Sequence, residues 1–315
     1  MEKNLKYKNL IQEDFEQIKS IKIQGATKIA LAIGRALSHY ARQGEFYCYK
    51  DFLEQLKLAG KYLLSARETE PMADNVIEFI FYRLKNDRHL TVEQGIKTVV
   101  KAVKDFEKMV ATNEKRIIAA GVSLIQHGDR IFTHCHSSTV VNILKGAKKK
   151  KIEVVQTETR PLFQGHKTAT ELVAAGIKDT LAVDSAGASL LSQRGRDKID
   201  KLILGCDAIT TDAGCVNKVG SYGLALAAKE NNVPVYIATQ ALKINEDIRK
   251  IQALKIEERD DKEVWTNAPA GLNIENPAFD RVPAGLITGY ITEFGILKPS
   301  GLIKKILQHY KWLAQ

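Results

Sequence analysis

The sequence has no long hydrophobic run and few cysteines, and both features limit the classes of protein it can encode. No apolar stretch approaches the roughly 18 residues of a membrane-spanning helix, and the first residues alternate charged and apolar side chains without the apolar core of a signal peptide. Four cysteines occur among 315 residues, with no Cys-x-x-Cys pair and no metal-ligand spacing. We therefore expect a cytoplasmic protein that has reduced thiols, no bound metal and no contact with a membrane.

Several catalytic and nucleotide-binding motifs are also missing. The sequence contains no Gly-x-Gly-x-x-Gly after its first predicted strand, no Gly-x-Ser-x-Gly and no Walker sequence. These absences argue against a dinucleotide-dependent enzyme and a serine-triad hydrolase. We expect no cofactor.

The charge is strongly positive, since 47 Lys and Arg against 37 Asp and Glu leave a formal net charge of +10. Such a balance suits a partner rich in phosphate, either nucleic acid or a phosphorylated small molecule. The basic residues are spread along the chain, and the densest run, at 148–151, is typical of a solvated loop. No zinc finger, RNP motif or basic zipper is present, so nucleic acid is the less favoured partner and rests on the charge alone.

The hydrophobic pattern changes near residue 125 and predicts two domains. Apolar spacings of three and four predict a helical N-terminal domain at 1–126, in which Gly25 separates the first two helices. From 127 to 315, short β-branched runs alternate with helical stretches, which predicts an α/β Rossmann-like domain with a parallel sheet. The predicted strands are Arg130–Thr133, Glu153–Thr157, Thr180–Val183, Lys201–Leu204 and Val235–Ala238, with a further run at Leu286–Thr292.

Ligands of open parallel sheets bind beyond the carboxyl ends of the strands, so the residues there are the first candidates for a site. Cys135 follows the first strand at a helix N-terminus, where the helix dipole and a nearby cation would lower its pKa; the alternative is a small residue packed in a turn. Arg160 follows the second strand beside Pro161 and suits a phosphate, or else an ion pair with Glu158.

Two further strand ends carry carboxylates. Asp184 precedes a predicted helix, so capping that helix is its first interpretation and a ligand contact its second. Asp207 is the only carboxylate in an apolar stretch, where burial would raise its pKa, although it could instead cap backbone amides. Lys218 lies in a glycine-rich turn before a helix, a plausible cradle for phosphate. Together these groups suit proton transfer on a phosphorylated substrate.

Several segments resemble one known family: THCHSS at 133–138, TETRPLFQG at 157–165, VDSA at 183–186, GCDAI at 205–209 and VNKVGSYGLALAAKE at 216–230. The family comprises the initiation factor 2B alpha, beta and delta subunits, methylthioribose-1-phosphate isomerase and ribose-1,5-bisphosphate isomerase. The resemblance spans essentially the whole chain and implies a helical domain on a Rossmann-like domain, in a homodimer or larger homo-oligomer.

The resemblance also implies an activity, because the isomerases keep a cysteine and an aspartate at the positions of Cys135 and Asp207. It favours conversion of ribose 1,5-bisphosphate to ribulose 1,5-bisphosphate, with methylthioribose-1-phosphate isomerase or a non-catalytic regulatory subunit as alternatives. A nucleotide activator is left open. The implied substrate-binding residues are Gly25, Ala26, Arg67, Ser137, Arg160, Gln164, Asn217, Lys218 and Lys243.

A ribose that carries phosphate on C1 cannot open through a free aldehyde, so the ring oxygen must be protonated while the phosphate stays attached. The expected mechanism has Asp207 as the acid and Cys135, as a thiolate, taking the C2 proton to give a phosphoenolate. General acid–base steps of this kind contribute roughly 10²–10⁴-fold each.

Overall fold

The computed structural model describes residues 6–23, 25–67, 70–85, 91–244 and 256–314. The chain folds into two compact units. The first comprises the described residues within Met1–Thr112, Leu242–Glu246 and Leu307–Gln315, and the second those within Asn113–Ala241 and Asp247–Ile306. The domain boundary at 126/127 stays a prediction.

The first unit contains the predicted N-terminal helices, so the helical part of the fold class is confirmed. Gly25 precedes α2 with φ of 90°, a conformation that favours glycine, and Pro71 occupies the first position of α4, where proline suits a helix. The helices are α1 Lys6–Lys19, α2 Ala26–Gln43, α3 Tyr49–Leu64, α4 Pro71–Lys85 and α5 Val92–Leu124, the last of which continues into the second unit.

The second unit is built on a seven-stranded sheet, parallel except for its last strand, which confirms the α/β part of the fold class. The strands are β1 Arg130–His134, β2 Glu153–Thr157, β3 Lys178–Ala182, β4 Lys201–Leu204, β7 Val235–Ala238, β9 Gly289–Thr292 and β10 Gly295–Leu297. Their order is β10-β9-β7-β4-β1-β2-β3, so the strand order reverses between β1 and β4, the point at which open parallel sheets bind ligands beyond the carboxyl ends of their strands.

Five helices follow strands of the second unit: α6 Ser138–Gly146, α7 Gln164–Ala174, α8 Gly187–Leu191, α9 Ser221–Glu230 and α10 Pro299–His309. Apolar side chains of α5, α6 and α7 pack with those of the strands into one buried core, which includes Ile117, Val141, Val154, Leu172 and Ile203. β3 forms an edge of the sheet, and its side chains are largely exposed.

A second, antiparallel sheet was not predicted from the sequence. It consists of β5 Ala208–Ile209, β6 Cys215–Lys218 and β8 Phe279–Val282, in the order β5-β6-β8. Strands of two to four residues are too short to show alternation, and the third comes from a stretch at 244–284 that is charged and then rich in Asn, Pro and Gly. This sheet sets Asn217 opposite Asp280 and Lys218 opposite Phe279.

The lysine run at 148–150 forms a 3₁₀ turn. Lys148 and Lys149 are exposed, as a solvated loop predicts, but Lys150 is half-buried. Its ammonium donates hydrogen bonds to the carbonyls of Val122 and Ile125 at the end of α5. One member of the run therefore neutralises the negative end of a long helix. Over the described ranges, no helix is long and apolar enough to span a bilayer.

Candidate active site

The N-termini of three helices lie next to the carboxyl edge of the sheet. α6 begins four residues after β1 ends, α7 follows β2, and α9 follows the turn at Gly220. The first amide groups of a helix point outward without intrahelical partners and carry partial positive charge. The ends of α6 and α7 give this edge an environment suited to anionic groups, as the phosphate prediction requires, whereas at α9 the Asp280 carboxylate already accepts from the amides of Gly220, at 2.8 Å, and Tyr222, at 3.0 Å.

The backbone of Cys135 is held in a left-handed conformation, with φ of 67°. Its N–H donates to the Thr159 hydroxyl at 3.0 Å, and its carbonyl accepts from the Thr168 hydroxyl at 2.9 Å. Both threonines are almost fully buried. The position of Cys135 is thus fixed by two side chains from neighbouring elements and not by the helix that follows it.

The environment of the Cys135 thiol differs from the expectation of a lowered pKa. Burial raises the pKa of Cys135 from its ordinary 9.0 to about 12; the Lys218 ammonium and the His136 amide act to lower it, and the carboxylates of Asp207 and Asp184 act to raise it further. Although the residue as a whole is only half-buried, this desolvation outweighs the nearby cation and the helix end. The expected thiolate is therefore wrong for the protein in this state, in which the thiol is protonated at neutral pH.

His134 is buried and links two loops of the site. Its Nε2 lies 2.9 Å from the Val219 carbonyl and its Nδ1 2.5 Å from the Thr157 hydroxyl. Burial lowers the pKa of His134, so the ring is neutral, donating from Nε2 and accepting at Nδ1. A Cβ at Gly220, whose φ is 102°, would lie 3.1 Å from Nε2, so the close approach and the backbone conformation both favour glycine there. In the described part of the chain, no three His, Cys, Asp or Glu side chains are arranged to hold a metal ion.

Asp184 does not cap the helix that follows it, because the N-cap of α8 is Ala186 and no side chain caps that helix, so the capping interpretation is wrong. Its two carboxylate oxygens accept instead from the amide groups of Thr159, at 2.8 Å, and Arg160, at 2.7 Å. The reason is the parallel pairing of β2 with β3, which brings the two strand ends side by side. The Asp184 carboxylate, which follows β3, thereby fixes the turn at Thr159 that follows β2.

Arg160 contacts its own loop and a distant segment. Its guanidinium lies over the Phe163 ring, with 5.0 Å between Cζ and the ring centroid, and donates to the Val264 carbonyl at 2.9 Å. No ion pair with Glu158 is found among the described residues. Gln164 opens α7, and its Oε1 is buried without a hydrogen-bond partner. That acceptor is available to a hydroxyl or amine donor of a ligand.

The fourth strand end meets the second sheet. The backbone amide of Asp207 donates to the Val216 carbonyl at 2.8 Å, and the side-chain amide of Asn217 donates to the Ser221 hydroxyl at 2.8 Å. Gly205 lies between two predicted ligand-binding residues, because a Cβ there would be 2.8 Å from the Ser137 Cβ and 3.5 Å from the Asn217 Oδ1.

Ser137 and Lys218 already have contacts within the protein. The Ser137 hydroxyl caps α6 by accepting from the Val140 amide at 3.4 Å. The Lys218 ammonium, in a largely buried side chain, lies 5.0 Å from the Phe279 ring centroid.

Four predicted binding residues belong to the first unit. Gly25 and Ala26 form the start of α2, and Arg67 pairs with Glu70 at 3.7 Å. Lys243 ends a 3₁₀ turn. The carbonyls of its two neighbours, Leu242 and Ile244, accept from the side-chain amide of Asn75 at 2.7 and 2.9 Å.

The second unit brings together Cys135, Asp207, Lys218, Asn217 and Ser137, with Arg160 and Gln164 on the adjacent loop. Further contributions to this arrangement were not identified from the sequence. They come from His134, Thr159 and Thr168 and from the bridging role of Asp184, and each acts through backbone geometry that a single sequence does not reveal.

A model of the Initiation factor 2 subunit family matches residues 22–299. The chain belongs to this family. It is 34% identical to the ribose 1,5-bisphosphate isomerase of Methanocaldococcus jannaschii, over 98% of this chain and 97% of that protein. It is 32% identical to the methylthioribose-1-phosphate isomerase of Pelotomaculum thermopropionicum, over 90% and 82% of the two chains.

The fold matches a solved structure of the same family. The crystal structure described as the translation initiation factor eIF-2B of Pyrococcus horikoshii OT3 superposes with a TM-score of 0.77 at 27% identity, covering 92% of this chain and 97% of that one. The predicted family and fold class are therefore confirmed. The predicted isomerase class is confirmed too, since the Methanocaldococcus and Pelotomaculum relatives carry isomerase names.

Proposed function

We propose that the protein converts ribose 1,5-bisphosphate to ribulose 1,5-bisphosphate. The observation that carries the proposal is the Cys135 thiol, held in a left-handed turn within electrostatic reach of Asp207 and Lys218. The names of the relatives from Methanocaldococcus jannaschii and Pyrococcus furiosus, at 34% and 33% identity, support this substrate. A thiol and a carboxylate beside a cation supply proton transfer and charge neutralisation, the two requirements of an aldose–ketose isomerisation at a phosphorylated carbon.

The reaction moves two protons, one from carbon C2 to C1 and one from the C2 hydroxyl to the ring oxygen. The protonated thiol of Cys135 gives its proton to the ring oxygen as the C–O bond opens, and the resulting thiolate takes the proton from C2. The enol that forms keeps its phosphate on C1. Asp207 then takes the proton of the C2 hydroxyl while the thiol protonates C1, and transfer of that proton from Asp207 to the thiolate restores the starting state. This order differs from the expected one because the resting thiol is protonated.

Substrate binding is assigned to the remaining predicted residues. Lys218 and the N-termini of α6 and α7 neutralise phosphate, with Arg160 as a second cation and the unpartnered Gln164 oxygen accepting from a sugar hydroxyl. Ser137 and Asn217 lie beside Gly205 at the same edge. For Gly25, Ala26, Arg67 and Lys243 of the first unit, a role in substrate binding stays a prediction. The boundary at 126/127, the homo-oligomer and the nucleotide activator also stay predictions.

The experiment is phosphorus and proton NMR of the purified protein with ribose 1,5-bisphosphate, and separately with 5-methylthioribose 1-phosphate. Conversion of the bisphosphate to the ketose supports the proposal. Cys135→Ser and Asp207→Asn should each lose at least roughly 10²-fold in kcat with the fold intact. Cys48→Ser is the matched control, because Cys48 is an exposed thiol of the other unit.

Other outcomes would contradict the proposal in distinguishable ways. Turnover of only the methylthio sugar would assign the protein to the second isomerase class, whose Pelotomaculum member is 32% identical. Saturable sugar-phosphate binding without turnover would favour a regulatory subunit, the alternative that the eIF-2B structure of Pyrococcus horikoshii supports. Near-normal activity in either site variant would reject the mechanism while leaving the substrate assignment standing.

A further inference from the structure

The conformation of Cys135 needs an external support. A non-glycine residue with φ of 67° is strained relative to the right-handed region, so it persists only where its surroundings impose it. The helix that begins at Ser138 does not impose it, because its capping hydroxyl belongs to Ser137. The hydroxyl of Thr159, which accepts from the Cys135 amide, is one of the two groups that do.

Thr159 is itself in a left-handed conformation, with φ of 63°, and is completely buried. Asp184 supports it: one carboxylate oxygen accepts from the Thr159 amide at 2.8 Å and the other from the Arg160 amide at 2.7 Å. Both oxygens of this carboxylate thus accept hydrogen bonds from the same turn. Two hydrogen bonds in series connect Asp184 to the backbone of Cys135.

We propose that Asp184 is a positioning residue, whose carboxylate fixes the turn at Thr159 and, through the Thr159 hydroxyl, fixes the backbone that presents the Cys135 thiol. The proposal rests on the proposed function only in taking Cys135 as catalytic. It differs from a purely electrostatic role, in which the charge of Asp184 acts on the thiol directly, because it makes the neutral Thr159 hydroxyl equally necessary.

Two variants separate position from charge. In Asp184→Asn the side-chain amide offers one acceptor oxygen, so one of the two bonds to the turn is lost. In Thr159→Val the charge of Asp184 and the shape of the side chain at 159 remain. The variant loses the acceptor for the Cys135 amide, together with the longer contacts of the hydroxyl with the Thr157 carbonyl, at 3.3 Å, and His134 Nδ1, at 3.5 Å. Thr159→Ser retains that acceptor and is the conservative rescue. Asp179→Asn is the matched control, because Asp179 lies on the strand preceding Asp184 and bonds to Gln156, at 2.6 Å.

Two readouts are measured on each variant after circular dichroism has established that it is folded. The first is kcat and KM with ribose 1,5-bisphosphate. The second is the rate at which iodoacetamide alkylates Cys135 at one fixed alkaline pH, followed on the Cys135 peptide by mass spectrometry, which needs no turnover.

We expect Asp184→Asn and Thr159→Val to lower kcat by roughly 10- to 100-fold, with KM within about threefold, since misplacing a reacting group by about 1 Å costs up to about 10²-fold. Both should speed alkylation of Cys135 several-fold, because the loosened turn exposes the thiol to solvent. Thr159→Ser and Asp179→Asn should match the wild type in both readouts.

An unchanged Thr159→Val variant would overturn the proposal, whether or not Asp184→Asn is impaired, because charge alone would then explain the effect. An impaired Thr159→Ser variant would overturn it as well. If the wild type fails to turn over the bisphosphate, the proposed function fails, and the alkylation rates still decide whether Asp184 positions Cys135.

Discussion

Gly205 is the residue at which the packing of the site can be tested most directly. It follows β4, and a Cβ added to it would lie 2.8 Å from the Ser137 Cβ, whereas ordinary contact begins at 3.4 Å. The atom it meets is fixed close to the backbone and cannot rotate away. Gly205→Ala must therefore push the Cys135–Ser137 turn and the end of β4 apart by about 0.6 Å.

The cost follows from that overlap. Forcing a methyl group into a packed region destabilises by about 1–3 kcal/mol, which should lower the melting temperature by several degrees. Because Ser137 is two residues from the thiol, kcat/KM for ribose 1,5-bisphosphate should fall by roughly tenfold or more. Differential scanning calorimetry and the NMR assay measure the two effects separately.

Gly301→Ala provides the matched control, since Gly301 lies within α10, which contributes no residue to the site, and a Cβ there meets nothing within 4 Å. It should leave activity unchanged and stabilise by about 0.5–1 kcal/mol, the usual preference of a helix for alanine over glycine. A Gly205→Ala protein with the wild-type melting temperature would show that the close approach of Gly205 to Ser137 does not exist, whatever the activity.

Two further predictions concern stability. Lys150→Met should lower the unfolding free energy by roughly 1–2 kcal/mol more than Lys149→Met in urea denaturation, because only Lys150 donates to the carbonyls at the end of α5, and equal effects would refute that role. Burial raises the pKa of Asp280 from 3.8 to about 6, so this group binds its proton more tightly in the folded protein than in the unfolded chain. The resulting stabilisation of the folded state is complete below pH 4 and is lost as the pH rises through 6. In Asp280→Asn the unfolding free energy should no longer decline by about 2 kcal/mol between pH 4 and pH 6, a figure that allows for the partial exposure of Asp280. Asp212→Asn should change the pH dependence of the unfolding free energy in the opposite direction. Burial acts to raise the pKa of Asp212, but the Thr210 hydroxyl and Arg281 outweigh burial and lower that pKa. An unchanged pH profile in Asp280→Asn would refute the first assignment.

The large elements of the fold were predictable because each has a clear local pattern. β2, β4 and β7 match their predicted ranges, since fully buried parallel strands show as short runs of β-branched residues between turns. The small sheet was not predictable in this way. β5 has two residues, and β8 pairs with β6 across more than sixty positions, so neither carries a periodic signal.

The site was predictable in its chemistry and not in its electrostatics. The carboxyl edge of a parallel sheet identified Cys135, Asp207 and Lys218 as neighbours, and the structure places them within electrostatic reach of one another. The sign of the pKa shift at Cys135 was predicted wrongly, because a sequence shows the nearby cation but not the extent to which the thiol is removed from water. Asp184 was read as a cap for the same reason: its partner lies on the adjacent strand, and local sequence cannot reveal it.

The raised pKa of Cys135 also bears on how substrate binding and catalysis must be ordered. Lys218 is the charged group that acts to lower this pKa, beside a weaker contribution from the His136 amide, and it is also the proposed partner of a phosphate. Once a phosphate neutralises Lys218, the thiolate loses the larger of these two supports and becomes still harder to form. A mechanism that begins with a thiolate would therefore be opposed by its own substrate, so in the proposed mechanism the thiol is protonated when the substrate binds and forms a thiolate only as its proton passes to the ring oxygen. So weak an acid transfers its proton efficiently only when it is already positioned next to the accepting oxygen. The Thr159 and Thr168 hydroxyls hold the backbone of Cys135 in position before the substrate arrives.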